Sequence, residues 1–159
     1  MRLSLVWFAV IAAGCGQQIG DSCIVSSDCA IDGSRVCDNS QQDGYCTMQG
    51  CDYDTCPGES VCVRFFSGGF TNKPCGAQAD CSLDELCSLE ALCVPRSAET
   101  RFCMKKCDQK SDCRDGYECR DYDLMKVHGG EPVLAPGDVV DQATAPAFCA
   151  IAPVPVPAT

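Results

Sequence analysis

Seventeen cysteines in 159 residues constrain this chain more than any other feature. The number is odd, and exported proteins seldom leave one thiol unpaired. The expectation is one cysteine with a separate role and sixteen that suffice for eight bridges. Cys15 stands apart, directly behind the small residues Ala12-Ala13-Gly14. The other sixteen are Cys23, Cys29, Cys37, Cys46, Cys51, Cys56, Cys62, Cys75, Cys81, Cys87, Cys93, Cys103, Cys107, Cys113, Cys119 and Cys149.

Residues 1–14 have the layout of a signal peptide. Arg2 supplies the positive start, and Leu3 to Ala13 are apolar apart from Ser4. That run is shorter than the roughly 20 residues of a membrane span. Ala12-Ala13-Gly14-Cys15 resembles the lipobox of bacterial lipoproteins, departing from it where Ala12 replaces the usual Leu. The resemblance implies cleavage before Cys15, a diacylglycerol on its sulfur and an acyl chain such as palmitate on its amine. Two or more chains anchor a protein stably, at about 0.8 kcal/mol per buried methylene. Gly16 lacks the Asp that retains enterobacterial lipoproteins at the inner membrane, so the expected place is the outer membrane. The alternative is ordinary cleavage near Gly14 and a secreted protein, which the parity of the cysteines disfavours.

Composition explains why bridges are needed. The 145 residues from Cys15 onward contain only 26 Leu, Ile, Val and Phe, about 18%. An ordinary apolar core needs more, because ordering the backbone costs on the order of 1–2 kcal/mol per residue. Disulfides offset this by restricting the unfolded chain, typically by about 2–4 kcal/mol each. They persist only in an oxidising compartment. The net charge is −10, and −11 once Arg2 leaves with the leader. That acidity disfavours nucleic acid, whose phosphates need a basic footprint, and adhesion to anionic headgroups.

The cysteines divide into two octets with similar gaps. The first, 23–75, has gaps of 5, 7, 8, 4, 4, 5 and 12; the second, 81–149, has 5, 5, 9, 3, 5, 5 and 29. Tyr45-Cys46 answers Phe102-Cys103, and Cys51-Asp52 answers Cys107-Asp108. The expected fold class is therefore small and disulfide-rich: two tandem eight-cysteine modules with short β-hairpins, many loops and at most one or two short helices. Residues 15–22 form the anchor and linker, 120–148 a Pro/Gly-rich insertion, and 150–159 a flexible Pro-rich tail. A competing register aligns Cys23-x5-Cys29 with Cys75-x5-Cys81, since both end in Asp-Cys, and puts the boundary before Cys75.

A smaller unit recurs: Cys23-Ile-Val-Ser-Ser-Asp-Cys29, Cys75-Gly-Ala-Gln-Ala-Asp-Cys81 and Cys107-Asp-Gln-Lys-Ser-Asp-Cys113. These units resemble the Cys-rich module of the Dickkopf N-terminal type, which also occurs in Cys-rich lipoproteins of myxobacteria. The resemblance covers 23–119 in spacing alone and implies a β-rich, loop-dominated knot. In such units the first cysteine often pairs with the third and the second with the fourth. Eight cysteines on their own allow 105 connectivities.

Locally, Asp43-Gly44 reads as a tight turn into a strand, and Val61 to Phe66 as a strand ended by Ser67-Gly68-Gly69. Ser82 with Glu85, and Leu83, Leu86, Leu89 and Leu92 at every third position, predict a short helix within 82–92. Gly16 to Ser22 is a seven-residue linker spanning at most about 25 Å. The tail Ala152 to Pro157 reads as exposed polyproline.

The chemistry is sparse. His128 is the only histidine and reads as a solvated loop residue, with no Gly-x-Ser-x-Gly elbow to serve. Zinc would need a denser thiolate or imidazole cluster. Asp52 with Asp54, and Asp121 with Asp123, are pairs of the kind calcium uses, without an EF-hand loop. Phe65, Phe66 and Phe70 are candidates either for recognition or for a small core. The expectation is a non-enzymatic envelope lipoprotein with a structural or protein- or glycan-binding role, with no catalytic residue and no cofactor. A secreted protease-inhibitor-like or calcium-binding module is the alternative, and a small hydrolase stands behind it.

Overall fold

Two cysteines can bridge only where their Cα atoms come within about 4.4–6.8 Å, so the bridges show which segments must meet. The computed structural model describes residues 16–67 and 73–153. Along them run α1 (Ser26–Cys29), β1 (Val36–Cys37), β2 (Cys46–Thr47), β3 (Ser60–Phe66), β4 (Glu85–Cys87) and β5 (Cys93–Pro95). Then come β6 (Glu99–Lys105), β7 (Tyr117–Arg120), α2 (Tyr122–His128), β8 (Glu131–Pro132) and β9 (Phe148–Ile151). The strands pair antiparallel as β1–β2, β4–β5, β7–β9 and a three-stranded sheet with β3 between β6 and β8. This is a small disulfide-rich fold of short strand pairs and loops.

All sixteen cysteines from Cys23 to Cys149 are bridged, with Cα separations of 5.4–5.9 Å. They fall into four units of four, each pairing first with third and second with fourth. The first unit has Cys23–Cys37 and Cys29–Cys46; the second has Cys51–Cys62 and Cys56–Cys103. The third has Cys75–Cys87 and Cys81–Cys93, and the fourth Cys107–Cys119 and Cys113–Cys149.

The register explains the shared plan. In every unit the third and fourth cysteines stand directly opposite each other: Cys37 and Cys46, Cys62 and Cys103, Cys87 and Cys93, Cys119 and Cys149. Opposed residues of an antiparallel pair share one face, so both sulfurs point to the loop that carries the first two.

The division into 23–75 and 81–149 is therefore corrected. Cys75 pairs with Cys87, and Cys56 with Cys103, so bridges cross that boundary. The whole third unit sits inside the connection between β3 and β6. The helix within 82–92 is corrected too: the segment is the β4–β5 hairpin. A helix there would hold the Cα atoms of Cys81 and Cys93 about 18 Å apart, whereas their bridge brings them to 5.5 Å. The Glu85 carboxylate still accepts from the Ser82 N–H at 3.0 Å, but only as a turn.

The Asp before the second cysteine has a local role. Asp28 accepts from the N–H groups of Ile24 and Val25, at 2.9 and 3.0 Å. Asp80 does the same for Gly76 and Ala77, and Asp112 for Asp108 and Gln109. Two backbone donors on each carboxylate hold all three below the ordinary Asp value of 3.8. The second unit has one residue fewer here, and Thr55 substitutes: its Oγ1 accepts from the Asp52 N–H at 2.8 Å.

The apolar core lies around β3, with Val63, Tyr45, Tyr117, Met125 and Phe148 buried against the bridges. Ile19 joins them, fully buried. The Gly20 N–H donates to the Cys46 carbonyl, and the Cys46 N–H to that of Asp21. Residues 16–22 are thus packed onto the first unit and are not a free linker. The insertion 120–148 is anchored by Glu131, which is buried, ion-paired with Arg64 at 2.7 Å and bonded to the Leu89 N–H.

Candidate functional site

A cavity of about 420 Å³ lies where three units meet. Tyr45 and Thr47 come from the first unit, Phe65, Phe102 and Met104 from the β3–β6 ladder, and Ala150 and Ile151 from β9. Asp38, Gln41, Arg120 and His128 bring polar groups to this largely apolar wall. Its volume falls within the roughly 300–1,000 Å³ of small-ligand sites.

One wall depends on a glycine. Gly130 has φ +85°, and a Cβ there would lie 2.8 Å from Phe65 and 2.9 Å from Phe148. Those rings pack edge-to-face at 6.1 Å, and Phe65 lies 6.3 Å from Phe102. Phe65 is thus half-buried in the core and also faces the cavity. Phe66 is half-buried, with the Arg64 guanidinium 5.9 Å from its ring centre. Phe70 and Cys15 lie outside the described residues.

The charged edge of the cavity is an arrangement that sequence reasoning missed. Arg120 is buried, and burial pulls its guanidinium below the usual arginine value. It donates to Glu118 at 2.9 Å, to the carbonyls of His128 and Gly129 at 2.9 Å, and to that of Ile151 at 3.0 Å. The same Glu118 oxygen lies 2.8 Å from His128 Nδ1. His128 is therefore half-buried at the end of α2 and held by a carboxylate, a correction to the solvated-loop reading. Glu118 and Arg120, two apart on one strand, share a face; that spacing was readable, whereas the approach of His128 required the fold. Among the described residues, the hydrogen-bond partner found for the imidazole is Glu118.

A second cluster locks the first unit to the fourth. The Tyr45 and Tyr117 rings stack at 5.5 Å, and Arg114 lies 4.2 Å above the Tyr117 ring. Tyr117 Oη donates to the Gln42 carbonyl, and Tyr45 Oη to that of Cys149. Burial raises both phenols above the ordinary tyrosine value, so both stay neutral donors.

The cysteine clusters that would suit a metal are adjoining bridges, each sulfur already bonded to another. Asp52 accepts from Arg101 and from the Tyr53 N–H, and Asp121 caps α2 through Leu124. Among the described residues, no third carboxylate, Cys or His joins either Asp pair at ligand spacing.

Comparison with protein-family models, with curated proteins and with solved structures finds no match.

Proposed function

We propose that the chain is an exported, lipid-anchored envelope protein whose four bridged units form a rigid, non-enzymatic binding or structural body. The observation that carries this is the use of the cysteines. Eight bridges take sixteen of seventeen and leave Cys15, the one preceded by Ala12-Ala13-Gly14 behind an apolar leader. On this reading, disulfide formation and lipidation divide the thiols between them without remainder.

The 420 Å³ cavity is the place where such a body would engage a partner, through Phe65, Tyr45 and the Arg120–His128 edge that Glu118 holds from behind. Intact-mass analysis of the protein from its native membrane tests the reading. The expected mass is that of residues 15–159, less sixteen hydrogens, plus a diacylglycerol and an acyl chain. Cys15→Ser should abolish the added mass and release the protein from the membrane. An unmodified Cys15 in the mature wild-type protein would end the anchoring claim.

A further inference from the structure

We infer that the first unit rests directly on the bilayer, with Ile31, Ile24 and Val25 in contact with lipid. This inference rests on the lipid anchor at Cys15 proposed above. The chain next to Cys15 has no slack. Ile19 is fully buried, the 16–22 segment is bonded to Cys46, and a Cβ on Gly16 would lie 3.5 Å from the Cys29 carbonyl. Cys15 is one peptide bond away, with its Cα about 3.8 Å from that of Gly16. A lipid on Cys15 therefore has almost no tether, and the surface around Gly16 must lie at the membrane.

Exposed apolar side chains lie on that surface and on the adjoining start of α1. Gly16 and Ile31 line one shallow groove, and Ile31 is 94% exposed. Ile24 and Val25, on the same unit at the start of α1, are 81% and 52% exposed. Single exposed hydrophobics are ordinary on soluble proteins, and Leu83, Val127 and Val139 are of that scattered kind. Three within eight residues, on the unit that holds the tether, are not. Asp28 and Asp32 stay ionised, their oxygens held by local N–H and hydroxyl donors, so they belong at the headgroup level and not among the acyl chains.

The same geometry gives the molecule a direction. Glu59 lines the groove beside Gly16 and pairs with Arg35 at 3.8 Å. From there β3 runs away for seven residues, about 20 Å, to Ser67, whose N–H donates to the Ala98 carbonyl. The third unit, with the fully exposed Leu83, meets β3 toward that far end, where the Leu89 N–H bonds Glu131, the partner of Arg64.

Single-tryptophan reporters test this, since the only native tryptophan, Trp7, lies in the leader. Full-length chains carrying Ile31→Trp, Ile24→Trp or Leu83→Trp are processed in cells. They are then reconstituted in phosphatidylcholine vesicles with and without brominated acyl chains. Emission at positions 31 and 24 should shift to shorter wavelength and be quenched by bromine, and emission at 83 should do neither. If mass analysis shows the lipid and all three positions stay unquenched, the contact is wrong while the anchor stands. Equal quenching at 83, or a concentration-dependent blue shift at 31 without lipid, would also overturn it, the latter indicating contact between copies. An unlipidated Cys15 would remove anchor and contact together.

Discussion

The second and third units share one bridge pattern and differ in nearly everything else. In the second, 40 residues separate the opposed Cys62 and Cys103; in the third, five separate Cys87 and Cys93. The longer interval gives a ladder of seven residue pairs that buries Val63 and forms one wall of the cavity. The shorter gives three pairs and a small knot around Leu86 and Val94, neither of which belongs to the main core cluster. The unit therefore fixes pairing and face, while the chain between its last two cysteines is free to grow. The second unit has grown by enclosing the third, and the fourth by enclosing α2 and β8.

The two units should differ in what their bridges contribute to stability. Replacing Cys56 and Cys103 together by Ala should cost more than replacing Cys75 and Cys87. Loop closure alone gives about 4 kcal/mol for a separation of 47 residues and about 3 kcal/mol for one of 12. Denaturant unfolding of the two variants measures the gap, and equal losses would break the distinction. A like-for-like core test is Val63→Ala against Val94→Ala, since both are buried. Deleted methyls cost their transfer energy plus a cavity term set by how far the site can relax. We expect about 2–3 kcal/mol at 63 and about 1–2 kcal/mol at 94. Leu83→Ala, fully exposed, should change stability by less than about 0.5 kcal/mol.

The smallest effect separates the units by pH. Asp80 has its folded value held below 3.8 by the backbone donors of Gly76 and Ala77. A depressed carboxylate contributes stability above its unfolded value and loses it as pH falls through the folded one. Acid below about pH 4 should therefore speed amide exchange at Gly76 and Ala77 relative to neighbouring turns. The second unit uses the Thr55 hydroxyl in place of the Asp, so the Asp52 amide should show no such step. Exchange measured by NMR across that range reads both sites at once.

Much of this was legible, and the failures have physical causes. The recurring Cys-x4-Asp-Cys marks a turn whose amides need an acceptor, and the β-rich run at 61–66 became β3. Nesting was hidden because spacing does not record which cysteine closes a ladder when 12 or 40 residues intervene. Leucines at every third position suggested a helix in 82–92, but two bridges outweigh a weak periodicity. The helix at Tyr122–His128 had signals that went unread: Asp121 as N-cap, Lys126 and His128 in the last turn, and Gly129 after it. Of the cavity, Phe65 was singled out from the sequence. Arg120 and Glu118 were not, since their importance comes from strands β7 and β9 meeting the first unit.

One four-cysteine unit occurs four times in this chain, with the third enclosed by the second. Proteolysis of the unreduced native protein, followed by mass spectrometry of the linked peptides, reads this nesting. Nesting requires Cys56 joined to Cys103 and Cys75 joined to Cys87. A map in which Cys75 closes onto any cysteine from 23 to 62 would restore two separate octets and contradict it.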